Sequence, residues 1–308
     1  MSALAPRVAV HGDVLDFMTR ALAEGGAELV DLDDGPQILA LDHGNDATQL
    51  TEILDTTPSV QWVQLPTAGI DKYRDALAAH PDTIWTSAKG AYAEPVAEHA
   101  LMLALGVARL IKRRARAGSW EEMDGISIFD TRAVVVGAGG VGLEIVRLLK
   151  AFRVKVDVVR RTDAPAPGAD RTVSAEHLDE VLPGADLVVL AAALTDGTRH
   201  LIGEAQLAAM KEDAILVNIA RGPMVDCEAL TKTLAAGHLY GAGLDVTDPE
   251  PLPEGHPLWD EPRCLITPHT ADTLPMIQLL LGQRFAANLK HWQAGEDLNG
   301  VVDPAQGY

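Results

Sequence analysis

The chain has 308 residues, of which 47% are hydrophobic and 22% are charged, and its 44 acidic and 25 basic residues give a formal charge of -19 at pH 7. This length suits two globular domains, and the negative charge argues against nucleic acid or an anionic membrane as a partner. Two cysteines make no disulfide framework, and the N-terminal residues lack the apolar stretch of an export signal, so we expect a cytoplasmic protein without a membrane span.

Short apolar runs alternate with helix-like segments in the first part of the chain. The runs cover residues 8–10, 38–41, 60–65 and 84–86, and the first helix-like segment covers residues 14–24. Strands that alternate with helices predict a parallel sheet.

A second series of apolar runs begins near residue 132. Its members are RAVVVGAG, VKVDVV, DLVVLAAA, AILVNIA, GAGLDV and CLITPH. They are apolar throughout, as strands covered by helices on both faces must be. The sequence therefore predicts an α/β protein with two doubly wound parallel-sheet domains.

Two helix candidates mark where the chain passes between these domains. Residues 96–116 form the expected bridge into the second domain, and residues 276–293 are predicted as a helix that leads back to the first. We place the second domain at residues 96–282 and the first at residues 1–95 and 283–308.

The bridging segment also predicts self-association. It carries Leu101, Leu103, Leu105 and Leu110 around much of a helix circumference, too many for one buried face. A homodimer would cover the remainder.

A glycine-rich turn lies between the run AVVV and the helix candidate LEIVRLLK. Gly137, Gly139, Gly140, Val141 and Gly142 form a G-x-G-x-x-G pattern in the order strand, turn, helix. Such a turn lets the backbone approach a pyrophosphate, which the helix N-terminus then binds. The alternative is a glycine-rich turn that binds nothing, but the flanking strand and helix favour a dinucleotide site.

The end of the next strand indicates which dinucleotide. An acidic residue is expected there to bind the ribose of NAD, whereas this chain has Arg160, Arg161 and Thr162. Arginines can bind a 2′-phosphate, so NADP is the predicted cofactor. NAD stays possible, because Asp163 can bind the ribose, and a solvated basic pair is the alternative reading of the arginines.

Three ionisable residues follow later strands of the second series. Arg221 follows ILVNIA, Glu250 lies beyond GLDV, and His269 follows LITP. Ligands of open parallel sheets bind outside the carboxyl ends of the strands. Arg221 can bind a carboxylate, His269 can exchange a proton, and Glu250 can hold the imidazole. Taken singly, each could instead be an ordinary surface or packing residue.

Together these residues lie in segments that resemble the D-isomer-specific 2-hydroxyacid dehydrogenase family. The matching segments are VVVGAGGVGLEIVRLL, LTDGTRHLIGEAQLAAMKEDAILVNIARGPMVD, GAGLDVTDPEPLPEGHPLW and LITPHTAD. The resemblance implies a Rossmann cofactor domain and a discontinuous flavodoxin-like substrate domain. It also implies that Arg221 binds the substrate and polarises its carbonyl group, that His269 is the general acid/base, and that Glu250 is the partner of His269.

Further binding residues follow from the same resemblance. It implies cofactor contacts at Ala193, Thr198, Ile219 and Asp245, the last near the nicotinamide carboxamide. The turn with Ala68 and Gly69 resembles the loop whose backbone N–H groups hold the substrate carboxylate. No metal site is predicted.

The predicted function is hydride transfer between NAD(P)H, with NADPH preferred, and a small 2-oxo or 2-hydroxy acid, as in glyoxylate/hydroxypyruvate reductases. One alternative is an NAD(H)-sensing protein of the corepressor type, since this fold also serves that role. Another is an enzyme of the phosphoglycerate dehydrogenase type, which would need additional basic residues for a phosphate.

Overall fold

A parallel β-sheet lies at the centre of each of the two units into which the chain divides. The computed structural model describes residues 5–303. Within that range, one unit comprises the residues up to Tyr92 and those from Thr273 onwards, and the other comprises Ala93–Asp272. The chain therefore passes between the units twice, and the first unit is discontinuous in sequence.

The first unit is built on five strands. These are β1 (Arg7–His11), β2 (Glu28–Leu29), β3 (Ile38–Leu41), β4 (Trp62–Gln64) and β5 (Ile84–Thr86), with helices α1 (Asp16–Gly25), α2 (Leu50–Thr56) and α3 (Arg74–Ala79) between them. The strands pair in parallel in the order β2-β1-β3-β4-β5. This is the strand order of flavodoxin-like sheets.

The second unit is built on seven strands. Its elements are α4 (Ala93–Ala108), α5 (Ile111–Arg114), β6 (Arg132–Val136), α6 (Gly140–Ala151), β7 (Lys155–Arg160), β8 (Arg171–Ser174), α7 (Leu178–Val181), β9 (Leu187–Leu190), α8 (Glu204–Ala209), β10 (Ile215–Asn218), α9 (Cys227–Ala235), β11 (Gly241–Leu244), α10 (Pro257–Asp260) and β12 (Cys264–Ile266). The strands are parallel in the order β12-β11-β10-β9-β6-β7-β8, so the order reverses between β6 and β9 as in a Rossmann sheet. The predicted fold class is confirmed.

Both faces of the seven-stranded sheet are covered, as its unbroken apolar strands predict. Val134 and Val136 of β6 join one hydrophobic core, and Ala133 and Val135 join the other. Because successive side chains of a strand point to opposite faces, each core receives every second residue.

The last helix, α11 (Leu274–Ala294), belongs to the first unit. It approaches α1 so closely that a Cβ on Gly25 would lie 2.6 Å from a methyl carbon of Leu289. Farther along the same helix, the ring of Phe285 packs edge-on to Trp62 of β4, with 5.8 Å between the ring centroids. Since α11 packs on the first unit, the second passage of the chain lies at Asp272 and Thr273, ten residues before the expected 282/283.

The predicted bridging helix is two helices in the structure. At Leu110 the backbone adopts the left-handed conformation, with φ of 56°, and this separates α4 from α5. The carbonyl of Ala108, at the end of α4, accepts a hydrogen bond of 2.9 Å from the N–H of Ile126, which lies far outside the helix. Contacts with distant segments therefore end α4 before the position expected from its apolar sequence.

Residues 5–303 contain neither a helix that could span a membrane nor a cluster of metal ligands. Each helix there is too short or too polar to cross a lipid bilayer. In the same residues, no three His, Cys, Asp or Glu side chains converge in an arrangement that could hold a metal ion.

Candidate active site

Arg221, Glu250 and His269 follow three neighbouring strands of the second unit. Arg221 comes after β10, Glu250 after β11 and His269 after β12, and these strands are adjacent in the sheet. Since all three strands are parallel, their carboxyl ends lie at one edge. The structure thus brings the three predicted catalytic residues to the same edge of one sheet.

His269 and Glu250 form a close pair. Nδ1 of His269 lies 2.6 Å from Oε1 of Glu250, within hydrogen-bonding distance. Their side chains are 46% and 42% exposed, so solvent and small molecules can reach the pair. Because Glu250 engages Nδ1, the other ring nitrogen, Nε2, is the one that can serve a ligand.

The turn that carries His269 is anchored on Asp245. The His269 N–H donates to the backbone carbonyl of Asp245 at 2.8 Å, and the N–H groups of Thr270 and Ala271 donate to its carboxylate at 2.9 and 3.0 Å. These bonds hold His269 in the left-handed conformation, with φ of 51°. The position of the imidazole therefore depends on a side chain that was predicted to contact the cofactor.

Asp245 itself is buried, with 2% of its surface exposed. Burial acts to raise the pKa of this carboxyl, but hydrogen bonds from His99, Thr267 and the turn outweigh that effect and hold the pKa below its usual value. Asp245 is therefore a buried carboxylate, stabilised as the anion by the chain around it.

The position of Arg221 is fixed where the loop after β10 packs closely against the loop after β11. Its Nη1 donates to the carbonyl of Ala220 at 2.7 Å, and Nδ2 of Asn218 donates to the Arg221 carbonyl at 2.9 Å. A Cβ on the next residue, Gly222, would lie 1.8 Å from the carbonyl oxygen of Thr247. Only glycine fits there, so the loop of Arg221 lies directly against the segment that leads to Glu250.

The glycine-rich turn has the shape that a pyrophosphate requires. Gly137 has φ of 111°, and a Cβ there would lie 2.5 Å from the carbonyl oxygen of Ala191. A Cβ on Gly142 would lie 2.1 Å from the carbonyl oxygen of Gly137, so neither position has room for a side chain. Around Gly139, by contrast, no atom lies within 4 Å of the Cβ position.

The helix after this turn begins without a side-chain cap. Gly139 is the N-cap of α6, and Gly140 and Val141 are its first residues. The first N–H groups of a helix have no partner within the helix and favour an anion. Open space next to uncapped N–H groups fits a dinucleotide phosphate.

Arg160 is the last residue of β7, and its Nη1 donates to the carbonyl of Ala164 at 3.3 Å. Arg161 and Thr162 follow it at the surface. Since β7 neighbours β6, which leads into the glycine-rich turn, the basic residues lie at the same edge of the sheet as that turn.

The remaining predicted cofactor residues lie at the ends of β9 and β10. Ala193 is exposed, and Ile219 is buried directly after β10. Oγ1 of Thr198 accepts from the N–H of Thr195 at 2.7 Å and donates to the Ala193 carbonyl at 2.8 Å. The Thr198 hydroxyl thus shapes the loop around Ala193.

The predicted carboxylate loop belongs to the first unit and follows β4. The hydroxyl of Thr67 donates to the carbonyl of Gly69 at 2.6 Å and closes the turn, while Ala68 is exposed.

Two residues next to Asp245 were missed by the sequence reasoning. Thr267 donates its hydroxyl to Oδ1 of Asp245 at 2.6 Å, and Nε2 of His99 lies 3.3 Å from the same oxygen. Thr267 lies within the LITPH segment, but nothing in the sequence around His99 indicates its partner. Its position in α4 could have been noticed only as a polar side chain in an apolar helix.

Comparisons with known proteins show which proteins this chain resembles. The model of a family described as "D-isomer specific 2-hydroxyacid dehydrogenase, NAD binding domain" matches residues 99–271. An uncharacterised protein of Corynebacterium melassecola is 36% identical over 83% of this chain and 86% of its own length. A glyoxylate reductase of Thermofilum pendens is 32% identical over 77% of this chain and 73% of its own length.

A solved structure is similar over nearly the whole chain. It is a D-isomer specific 2-hydroxyacid dehydrogenase from Xanthobacter autotrophicus Py2, determined in complex with NADPH and MES. The TM-score is 0.84 at 27% identity, and the match covers 99% of this chain and 100% of the other.

Proposed function

The chain belongs to the D-isomer-specific 2-hydroxyacid dehydrogenase family, and from that premise we propose that it reduces a small 2-oxo acid, of the glyoxylate or hydroxypyruvate class, with NADPH. The main support for the proposal is the distance of 2.6 Å between Nδ1 of His269 and Oε1 of Glu250, at the same sheet edge as Arg221. A hydride-transferring enzyme for 2-oxo acids needs a cation for the carboxylate and an acid for the carbonyl oxygen.

The proposed catalytic roles of Arg221, His269 and Glu250 follow from the hydrogen bonds that their side chains form. Arg221 binds the substrate carboxylate through its guanidinium and stabilises the negative charge that develops on the carbonyl oxygen. Nε2 of protonated His269 donates a proton to that oxygen, while Glu250 stabilises the charged imidazole through Nδ1. NADPH, when bound, supplies the hydride. The N–H groups of Ala68 and Gly69 remain predicted ligands of the carboxylate.

The cofactor is proposed to bind along the carboxyl edge of β6, β7 and β9. The pyrophosphate fits Gly139, Gly140 and the first N–H groups of α6, with Gly137, Val141 and Gly142 shaping the turn. Ala193, Thr198 and Ile219 are proposed to line the nicotinamide end, and Asp245 to act there from its buried position.

The preference for NADPH over NADH rests on Arg160, Arg161 and Thr162. At the end of β7 the two arginines offer charged donors and Thr162 a hydroxyl to a 2′-phosphate, where an acidic residue would repel it. The related Xanthobacter enzyme was crystallised with NADPH, which supports this choice. NADH is proposed as the poorer cofactor.

A cytoplasmic homodimer is proposed as the working form. Cys227 and Cys264 are free thiols, as suits a reducing compartment. Exposed apolar side chains of the second unit suit a contact with a second copy. They include Met102 of α4, Ile111 of α5, and Trp120 and Met123 beyond them.

A panel of 2-oxo acids assayed with NADPH and with NADH tests this function. We expect loss of the reduced-nicotinamide absorbance with glyoxylate, hydroxypyruvate or a close analogue, faster with NADPH. Binding of NADPH without oxidation by any 2-oxo acid would refute the enzymatic function and leave a cofactor-sensing protein.

A further inference from the structure

His99 lies in the first half of α4, between Glu98 and an apolar run that begins at Ala100, and its side chain is only 15% exposed. Its Nε2 lies 2.9 Å from Oγ1 of Thr267 and 3.3 Å from Oδ1 of Asp245. Both partners belong to the framework of the turn that carries His269, whereas His99 comes from a helix far earlier in the chain.

The direction of each hydrogen bond in this cluster is fixed. The ionised carboxylate of Asp245 can only accept hydrogen bonds. The hydroxyl of Thr267 donates its single proton to Asp245 at 2.6 Å. The Thr267 oxygen can therefore only accept from His99, so Nε2 of His99 must carry a proton. His99 is the donor that completes a chain of bonds from α4 through Thr267 to Asp245.

This chain of bonds ends at the acid/base residue. Asp245 binds the N–H groups of Thr270 and Ala271 through its carboxylate, and its carbonyl binds the N–H of His269. A change in the orientation of the carboxylate therefore displaces both N–H groups that follow His269. Because the φ of His269 is 51°, its imidazole direction depends on these bonds.

We propose that His99 is a positioning residue for the reaction: by donating to Thr267 and Asp245, it fixes the carboxylate that holds the His269 turn. Among the described residues, the polar partners of His99 are Thr267 and Asp245 rather than His269 or Glu250, so it acts on the imidazole only through the turn. The proposal rests on the proposed function for its kinetic consequence, but the contact itself does not depend on the substrate.

The test compares variants that keep or remove the donor. His99→Leu removes it, and we expect kcat for the best 2-oxo acid to fall about 10- to 100-fold, as for other small misplacements of a catalytic group. The dissociation constant of NADPH should change little. Gln places an amide N–H near the position of Nε2, so His99→Gln should stay within roughly threefold of wild-type kcat.

A second variant, at Thr267, tests the same hydrogen bond by changing its acceptor. Thr267→Val keeps the side-chain shape and removes the hydroxyl, so it should lower kcat by a similar factor. If both variants break one chain of bonds, the double variant should be little worse than either alone. Additive losses would contradict the proposed path through Thr267.

The matched control is His238, whose Nε2 lies 3.1 Å from the carbonyl oxygens of Leu207 and Met210. It is another partly buried histidine of the second unit with structural hydrogen bonds, but it does not contact the turn. His238→Leu should lower thermal stability and leave kcat unchanged. Equal kcat losses in His238→Leu and His99→Leu, or equal losses in His99→Gln and His99→Leu, would overturn the proposal.

Hydrogen exchange separates this inference from the proposed function. In His99→Leu the N–H groups of Thr270 and Ala271 should exchange about tenfold faster than in the wild type, with or without a substrate. If the wild type reduced no 2-oxo acid, the proposed function would fail, and faster exchange would still support the role of His99. Unchanged exchange at both residues would overturn it.

Discussion

At the scale of single residues, His269 is the side chain on which the proposed chemistry depends most directly. We expect His269→Ala to lower the rate of 2-oxo acid reduction by about two to four orders of magnitude, since the variant has no acid for the carbonyl oxygen. Cofactor affinity, measured by NADPH fluorescence, should be nearly intact. Turnover close to that of the wild type would remove His269 from the mechanism.

Arg160 is the residue that we propose selects between the two cofactors. Wild-type protein should prefer NADPH over NADH by roughly tenfold to several hundredfold in catalytic efficiency, because charged donors face the 2′-phosphate. Arg160→Asp should raise the KM for NADPH steeply and leave that for NADH unchanged or lower. The NADPH value should also rise with salt, as expected of an exposed phosphate contact. Equal use of both cofactors by the wild type would make Asp163 the better candidate for the ribose ligand.

Cys264 should be chemically inert in the folded protein. Burial raises the pKa of its thiol to about 12, so almost no thiolate forms at pH 8. Peptide mapping after brief treatment with a thiol reagent should show Cys264 unmodified until denaturant is added. The half-buried Cys227 should react first, and prompt labelling of Cys264 would show that β12 opens in the native state.

At the scale of elements, the ammonium of Lys112 in α5 secures the segment that leads into β12. Its Nζ donates to the backbone carbonyls of Trp259, Glu261 and Cys264, each at 2.8 Å. Burial lowers the pKa of this lysine, whereas hydrogen bonds to carbonyl oxygens favour the charged form of an amine.

Lys112→Met should therefore lower the free energy of unfolding by about 1 to 2 kcal/mol, because partly buried carbonyls lose a charged donor. Urea unfolding followed by circular dichroism measures the change. Lys232→Met is the control, since Lys232 is exposed and, among the described residues, forms an ion pair only with Glu228 in the preceding turn of its helix. An equal effect in both variants would mean that Lys112 contributes no more than a surface ion pair.

The helices and strands also show which parts of the fold could be predicted from the sequence. Ile38–Leu41 and Ile84–Thr86 were predicted with their observed bounds, because buried parallel strands are short, apolar and bounded by polar turns. Arg171–Ser174 was missed, since an edge strand with a polar sequence carries no such signal. The break between α4 and α5 was missed because a distant residue, Ile126, hydrogen-bonds the carbonyl of Ala108 at the end of α4.

The same contrast holds for the candidate site. The meeting of Arg221, Glu250 and His269 at one sheet edge could be predicted because each follows a recognisable strand, and the strand order brings the ends together. His99 could not, because its partner Thr267 lies 168 residues away and the surrounding helix is apolar. Local patterns predict which residues reach the sheet edge, whereas contacts between distant segments decide how they are held.

At the scale of the whole molecule, the exposed apolar side chains of the second unit predict assembly. Trp120 is 100% exposed and Met123 is 99% exposed, which is costly for a chain that stays alone in water. Light scattering should give twice the chain mass of 32.7 kDa. Trp120→Asp combined with Met123→Asp should shift the protein towards one chain, whereas Leu279→Asp, at an exposed position of the first unit, should not. A wild-type mass of one chain at every concentration would contradict the dimer.

The discontinuous first unit has a consequence for synthesis on the ribosome. Strands β1 to β5 emerge early, but α11, which covers α1 and Trp62, is translated only after the whole of Ala93–Asp272. At ordinary translation speeds, an interval on the order of 10 to 40 s separates the synthesis of β5 from that of α11. During that interval the second unit can fold by itself, while the apolar surface next to Trp62 stays uncovered. Newly made chains should therefore bind chaperones through the N-terminal segment, and release from the chaperone should follow the translation of α11.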